Sequence, residues 1–192
     1  MIRLWVTKSV IMKEEIRLVE CAKFGDIAGV ESLIADGVDI NTVSCSSFPL
    51  FEAVSSGNID LVKLLLDVQV IDINRYEKSS GYTCLHAAIF SSKDSNDNRI
   101  IRHLLQDKRI DLNARCRAPL VLGLTPFHLA AFIGNLMVIE ELIKAGISLD
   151  DLTEGGRSAF EVAGGNSGCS LSNKEVIEAI KVANLAYAKT SV

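Results

Sequence analysis

The stretch Thr125-Pro126-Phe127-His128-Leu129-Ala130-Ala131-Phe132-Ile133-Gly134-Asn135 opens and closes a helix within itself. Thr125 suits the N-cap, where its hydroxyl accepts from a free amide of the first turn. Pro126 falls at the first helical position, where a missing N–H is harmless. His128 is placed to hydrogen-bond at the helix start and tie it to the neighbouring turn. Phe127, Ala130 and Ala131 share one face, and the small alanines let another helix pack closely. Gly134 ends the helix, since glycine takes the left-handed conformation at little cost.

Weaker copies of this phrase lie on either side. They are Thr83-Cys84-Leu85-His86-Ala87-Ala88, Phe48-Pro49-Leu50-Phe51-Glu52-Ala53 and Ser158-Ala159-Phe160-Glu161-Val162-Ala163. Ser158 and Glu161 form a capping box, which offsets the missing histidine there. Gly25 and Gly57 match Gly134. A second phrase recurs as Asp39-Ile40-Asn41, Asp72-Ile73-Asn74 and Asp111-Leu112-Asn113, with intervals of 33 and 39 residues between the asparagines. An apolar helical run precedes each copy, and a fourth run is Met137–Ile143.

The chain therefore resembles the ankyrin-repeat family, whose period is 33 residues and whose signature is T-P-L-H-x-A. The resemblance covers roughly residues 13–188. It implies an all-α solenoid of helix-turn-helix units carrying short β-turn or hairpin fingers. The units run approximately 13–44, 45–77, 78–114, 115–152 and 153–188, with an N-terminal extension over 1–12 and a C-terminal tail over 189–192. The first and last units serve as caps of a single domain, because lone repeats cannot bury their apolar faces. The second helix of each unit is expected to be the longer and more apolar one, covered by both neighbours.

Departures from the pattern locate the unusual features. Ser91–Asn98 lengthens the turn in the third repeat and reads as an exposed loop, with Asp97 or Asn98 capping the next helix. Arg115–Gly123 lengthens the finger before the fourth repeat. Its Leu120-Val121-Leu122 run either folds back on the solenoid or meets a partner. Gly164–Ser170 is a Gly-rich turn. Phe48 and Phe51 replace the threonine and histidine of the second repeat, exchanging polar stapling for apolar packing.

The family resemblance implies binding rather than catalysis, with another protein meeting the concave side through the fingers and first helices. The variable helix positions are Lys23-Phe24, Ser55-Ser56, Phe90-Ser91 and Phe132-Ile133. Partner contacts are thus expected from Phe24, Phe90, Phe132 and Ile133. The fingers add Tyr76, Lys78, Tyr82, Arg115, Arg117 and Leu124. Aromatic anchors favour such interfaces. Residues 99–117 carry Arg99, Arg102, Lys108, Arg109, Arg115 and Arg117 against Asp107 and Asp111. That excess either receives an acidic partner segment or forms a solvated face. Two alternatives remain in view. One is an effector of an intracellular bacterium acting on a host protein. The other is an enzyme whose long loops assemble a site.

Composition narrows the field further. The 192 residues are 48% hydrophobic and 23% charged, with a net charge of −4. Such a chain buries a core and exerts no general pull on nucleic acid. No apolar run is long enough to span a membrane, and no cleavable leader is expected at the N-terminus. The five cysteines, Cys21, Cys45, Cys84, Cys116 and Cys169, are odd in number and lack a CxxC pair, so free thiols in the cytoplasm are expected. No cofactor or metal is expected: His86 and His128 lie one repeat apart, roughly 10 Å of stacked helix. The protein is expected to be monomeric by itself. Leu33, Leu66 and Leu105, each eight residues before Asn41, Asn74 and Asn113, resemble the ankyrin pattern accepted by asparaginyl hydroxylases, although asparagine also suits the turn. The terminal Thr190-Ser191-Val192 resembles a PDZ-domain ligand.

Overall fold

The computed structural model describes residues 2–95, 97–117, 123–164 and 175–182, with side chains for 12–92, 97–117, 123–163 and 175–182. In chain order the helices are α1 (Ile2–Phe24), α2 (Ile27–Ala35), α3 (Pro49–Ser55), α4 (Ile59–Leu66), α5 (Cys84–Ser95), α6 (Arg99–Gln106), α7 (Pro126–Ile133), α8 (Leu136–Lys144) and α9 (Ala159–Gly164). A further helical segment covers 175–182. Among the described residues the only β feature noted is an isolated antiparallel bridge between Ser44 and Ser47, closing a tight hairpin.

Consecutive helices pair, and the pairs stack. The first helices α1, α3, α5, α7 and α9 pack one on the next in chain order, while α4, α6 and α8 touch more loosely outside them. This reverses the expectation that the second helices are the better covered. Helix α7 buries Pro126, Phe127, His128, Leu129, Ala130 and Ala131 in succession, whereas α8 buries only Val138, Ile139 and Leu142. The first helices have neighbours on both sides and a second helix against them; the second helices keep one face in water. Nor are they uniformly longer, since α5 has 12 residues and α6 has 8. One apolar cluster runs from Leu18 to Ile180 through every pair. Its fully buried leucines, such as Leu50, Leu61, Leu85 and Leu104, each contribute on the order of 2 kcal/mol of burial free energy.

The expected caps form. Thr125 and His128 make a reciprocal capping box, and Gly134 ends α7 at φ 81°. Ser158 N–H donates to Glu161 Oε2 at 2.8 Å, and Glu161 N–H returns a bond to Ser158 Oγ at 3.3 Å. Helix α3 starts without a side-chain cap, but buried Phe48 packs on Phe51 with centroids 5.7 Å apart. Polar stapling is indeed exchanged for apolar contact there.

Two expectations meet a different outcome. The boundary proposed at residue 12 falls inside α1, a single 23-residue helix. The insertion after Phe90 is not a loop at its start, because α5 continues to Ser95. Continuing the helix keeps its backbone groups paired. Buried Ser92 anchors the extra turn, donating to the Ile89 carbonyl at 2.7 Å and accepting from Asn135 Nδ2 at 3.1 Å. Asp97, rather than Asn98, supplies the turn that starts α6, accepting from Arg99 N–H at 3.1 Å. The Leu120–Leu122 run, the 165–170 part of the Gly-rich turn, Cys169 and the terminal Thr190-Ser191-Val192 lie outside the described residues.

The recurring asparagines bind finger to finger. Asn41 donates to the Val70 carbonyl and accepts from Asp72 N–H, both at 2.8 Å. Asn74 does the same with Arg109 O at 2.7 Å and Asp111 N–H at 2.8 Å, and Asn113 accepts from Ser148 N–H at 3.2 Å. A side-chain amide that both donates and accepts satisfies two backbone groups of the next unit at once. Turn propensity alone does not explain these asparagines.

Candidate functional site

The inner surface is built from the exposed sides of the first helices and the fingers beside them. Phe90 on α5 and Phe132 on α7 occupy matching places in successive repeats and are 53% and 41% exposed. The ring of Tyr82, half-buried, lies parallel to that of His86 with centroids 5.7 Å apart, and tilts against Phe90 at 6.1 Å. His86 itself is fixed from both ends. Its Nδ1 lies 2.8 Å from Thr83 Oγ1 and its Nε2 lies 3.0 Å from the Leu124 carbonyl. A carbonyl only accepts, so Nε2 carries the proton and Nδ1 receives the threonine hydroxyl. Burial pushes the His86 pKa down to about 4, against the weaker support of that carbonyl and of Asp111. His128 is lowered for the same reason, burial first. His86 is a structural pin that holds a finger against a helix, while His128 closes the capping box of its own helix with Thr125.

Tyr76 and Arg117 come together across two fingers. The Arg117 guanidinium carbon sits 3.9 Å from the Tyr76 ring centroid. Arg117 N–H donates to the Gly81 carbonyl at 2.8 Å, which places this pair beside Tyr82. The pair lines a groove of about 530 Å³ with Asp72, Arg75 and Lys78. Beneath it, buried Glu77 receives Ser79 N–H, Ser80 N–H and Ser80 Oγ–H at 2.6–2.8 Å. These bonds lower its pKa despite desolvation, the largest single influence and an opposing one.

The remaining expected contacts divide. Phe24 is 80% exposed at the end of α1, but α3 intervenes with exposed Ser55 and Ser56, so Phe24 stands apart from Phe90. Leu124 is a correction: it is buried, not presented to a partner. Its carbonyl accepts from both Cys116 N–H at 2.8 Å and His86 Nε2, which draws the residue inward beneath the finger. Ile133 is half-buried and packs against the core. Arg115 is engaged with the next finger through the Leu152 carbonyl at 2.5 Å and Asp151 at 3.9 Å.

Most of the expected basic excess is spent inside the protein. Arg99 pairs with Asp97 at 2.8 Å and Arg102 with Glu141 at 3.4 Å. Arg109 pairs with Asp107 at 2.6 Å and also donates to the carbonyls of Leu66, Val68 and Gln69. Arg117 instead lies on an aromatic ring. Sequence inspection named Tyr76 and Arg117 separately but missed their pairing and the Glu77 clasp; the serines following Glu77 were the available signal. Among the cysteines, Cys84 and Cys116 are buried and burial pushes the Cys84 thiol far up, while Cys45 is exposed at a hairpin tip with φ 51°.

A family model described as ankyrin repeats in three copies matches residues 18–116, and one for a single ankyrin repeat matches residues 122–154. The chain belongs to the ankyrin-repeat family. Its relatives include alpha-latrocrustotoxin-Lt1a of Latrodectus tredecimguttatus, 36% identical over 98 residues, or 50% of this chain and 6% of the toxin. Delta-latroinsectotoxin-Lt1a from the same species is 28% identical over 100 residues, covering 52% of this chain and 8% of the toxin. An ankyrin repeat protein of fowlpox virus is 37% identical over 114 residues, covering 59% of this chain and 18% of the viral protein. The ankyrin chain thus aligns with only a small part of each relative. Ankyrin repeats generally mediate protein–protein interaction, and among the described residues no helix is long and apolar enough to cross a membrane.

Proposed function

We propose that this ankyrin chain is a non-catalytic adaptor that binds another protein through the inner surface of its third and fourth repeats. The observation that supports it most is the aromatic strip of Tyr82, Phe90 and Phe132. Large apolar side chains held in water on successive repeats supply burial energy to a partner, and contiguous apolar patches mark interaction sites. The stacked helices hold these rings in place before binding, so little ordering entropy opposes association. Cofactor independence, a monomeric free state and cytoplasmic location belong to the same proposal. An effector delivered into a host cell would use the same surface on a host protein.

The test is affinity capture with mass spectrometry. It compares the wild type with a Phe90→Ala/Phe132→Ala variant and a Phe24→Ala variant, all matched in melting temperature. A protein retained by wild type and by Phe24→Ala, but lost with the double variant, is the expected result. Equal retention by all three moves the site elsewhere, and absence of any specific partner removes the adaptor reading.

A further inference from the structure

The finger groove differs from the rest of the basic surface in how its charge is held. Arg99, Arg102, Arg109 and Arg115 each face a carboxylate of this chain. The Arg117 guanidinium instead lies over the face of the Tyr76 ring. Stacking on a ring fixes the guanidinium plane; among the described residues no carboxylate pairs with its N–H edge, and that planar fork matches a carboxylate bidentately. Lys78 is exposed in the same groove. The groove also holds Arg75, whose guanidinium donates to the Asn41 carbonyl, and two carboxylates, Asp72 and Glu77. Glu77 is turned inward, with both oxygens occupied by Ser79 and Ser80. Asp72 is exposed, so Arg117 and Lys78 outnumber the outward carboxylate two to one, in a chain whose net charge is −4.

This cationic groove and the aromatic strip are continuous. Arg117 bonds through its backbone to Gly81, the next residue is Tyr82, and Tyr82 meets Phe90. An occupant lying along them meets a cation fork first and exposed rings second.

We infer that the partner contributes an extended acidic peptide segment, with an Asp or Glu carboxylate on Arg117 and Lys78 and a neighbouring apolar or aromatic side chain on Tyr82 and Phe90. This rests on the adaptor reading above and names the chemistry of its partner. Charge complementarity selects this occupant: a nucleic-acid backbone needs a train of phosphate contacts, which two outward cations do not supply.

The probe is a random dodecamer peptide library displayed on phage, selected on the full chain. Enriched sequences are then measured as fluorescein-labelled peptides by polarisation. Variants are Arg117→Gln, Lys78→Gln and Phe90→Ala/Phe132→Ala, with Lys63→Gln on the outer helix as control. All are checked for unchanged melting temperature. The expected result is enrichment of Asp or Glu beside an aromatic residue and a roughly tenfold weaker Kd for Arg117→Gln, the scale of one lost charge-assisted pair. Binding should weaken in higher salt, and Lys63→Gln should bind as wild type does. Neutral or basic peptides that depend on Phe90 and Phe132 but not on Arg117 would overturn the acidic-segment inference and leave the adaptor reading standing. Failure to enrich any sequence, or binding insensitive to every variant of the inner surface, would overturn both. Retention of a labelled single-stranded oligonucleotide that Arg117→Gln abolishes would reassign the cations and overturn the inference.

Discussion

Lowering the pH from 7.5 to 5.0 should destabilise this protein through His86. The imidazole is fully buried, and its pKa falls from the ordinary 6.5 to about 4. The unfolded chain therefore binds the proton more readily than the folded one, and stability falls as pH drops. The loss begins near pH 6.5 and levels off below about pH 4. At pH 7.5 both states are neutral and the contribution is close to zero. At pH 5.0 the unfolded imidazole is charged and the folded one is mostly not, which costs on the order of 2 kcal/mol. His128, also lowered by burial, adds to the loss in the same direction. Glu77, Asp97, Asp107 and Glu161 are held below the ordinary carboxylate range, so their contributions are lost at more acid pH than this window. Urea denaturation at the two pH values, on wild type and His86→Gln, isolates the effect. Glutamine retains an amide donor but has no titrating proton. The wild type should lose about 2 kcal/mol more than the variant between the two pH values. An equal loss in both proteins would refute the assignment, as would a wild type whose stability is flat across the window.

Three further outcomes follow from the stapling and packing. Asn74→Ala removes both partners of Arg109 O and Asp111 N–H and should cost about 1–3 kcal/mol in urea denaturation, with Asn74→Asp recovering the acceptor half only. Phe48→Ala should cost roughly 3–5 kcal/mol because the ring is 3% exposed, while Phe48→Thr should recover about 1 kcal/mol of that loss by giving α3 a capping hydroxyl. Gly134→Ala places a β-carbon at φ 81° and should lower stability by about 1 kcal/mol, read as a reduced urea midpoint with an unchanged m-value.

The repeat frame was legible because its signals are local. A threonine, a proline and a glycine each act within one helix, and Thr125, Pro126 and Gly134 do what their chemistry requires. Where the outcome depends on a neighbouring repeat, the same residues say less. Tyr82 and Leu124 both immediately precede a capping threonine. Tyr82 stays half-exposed because its large ring reaches across His86 to Phe90, while Leu124 is drawn inside by two donors from other segments. The polar run after Phe90 reads as loop, yet one serine bonded to Asn135 of the next repeat accompanies another turn of helix.

Charge shows why the candidate site was harder to read than the fold. Counting residues 99–117 leaves a basic excess, but stacking brings Glu141 to Arg102 from the following repeat and Asp151 to Arg115 from the following finger, and Asp97 lies just outside the counted stretch. In a solenoid, residues about one repeat apart become nearest neighbours, so a window shorter than the period mistakes staples for free charges. Arg117 departs from that pattern: the neighbour that stacking delivers to it is the ring of Tyr76, which orients the guanidinium without neutralising it. In the proposed reading, a carboxylate of the partner meets this cation. Its position, one residue's reach from Tyr82, sets that carboxylate beside the exposed ring of Phe90.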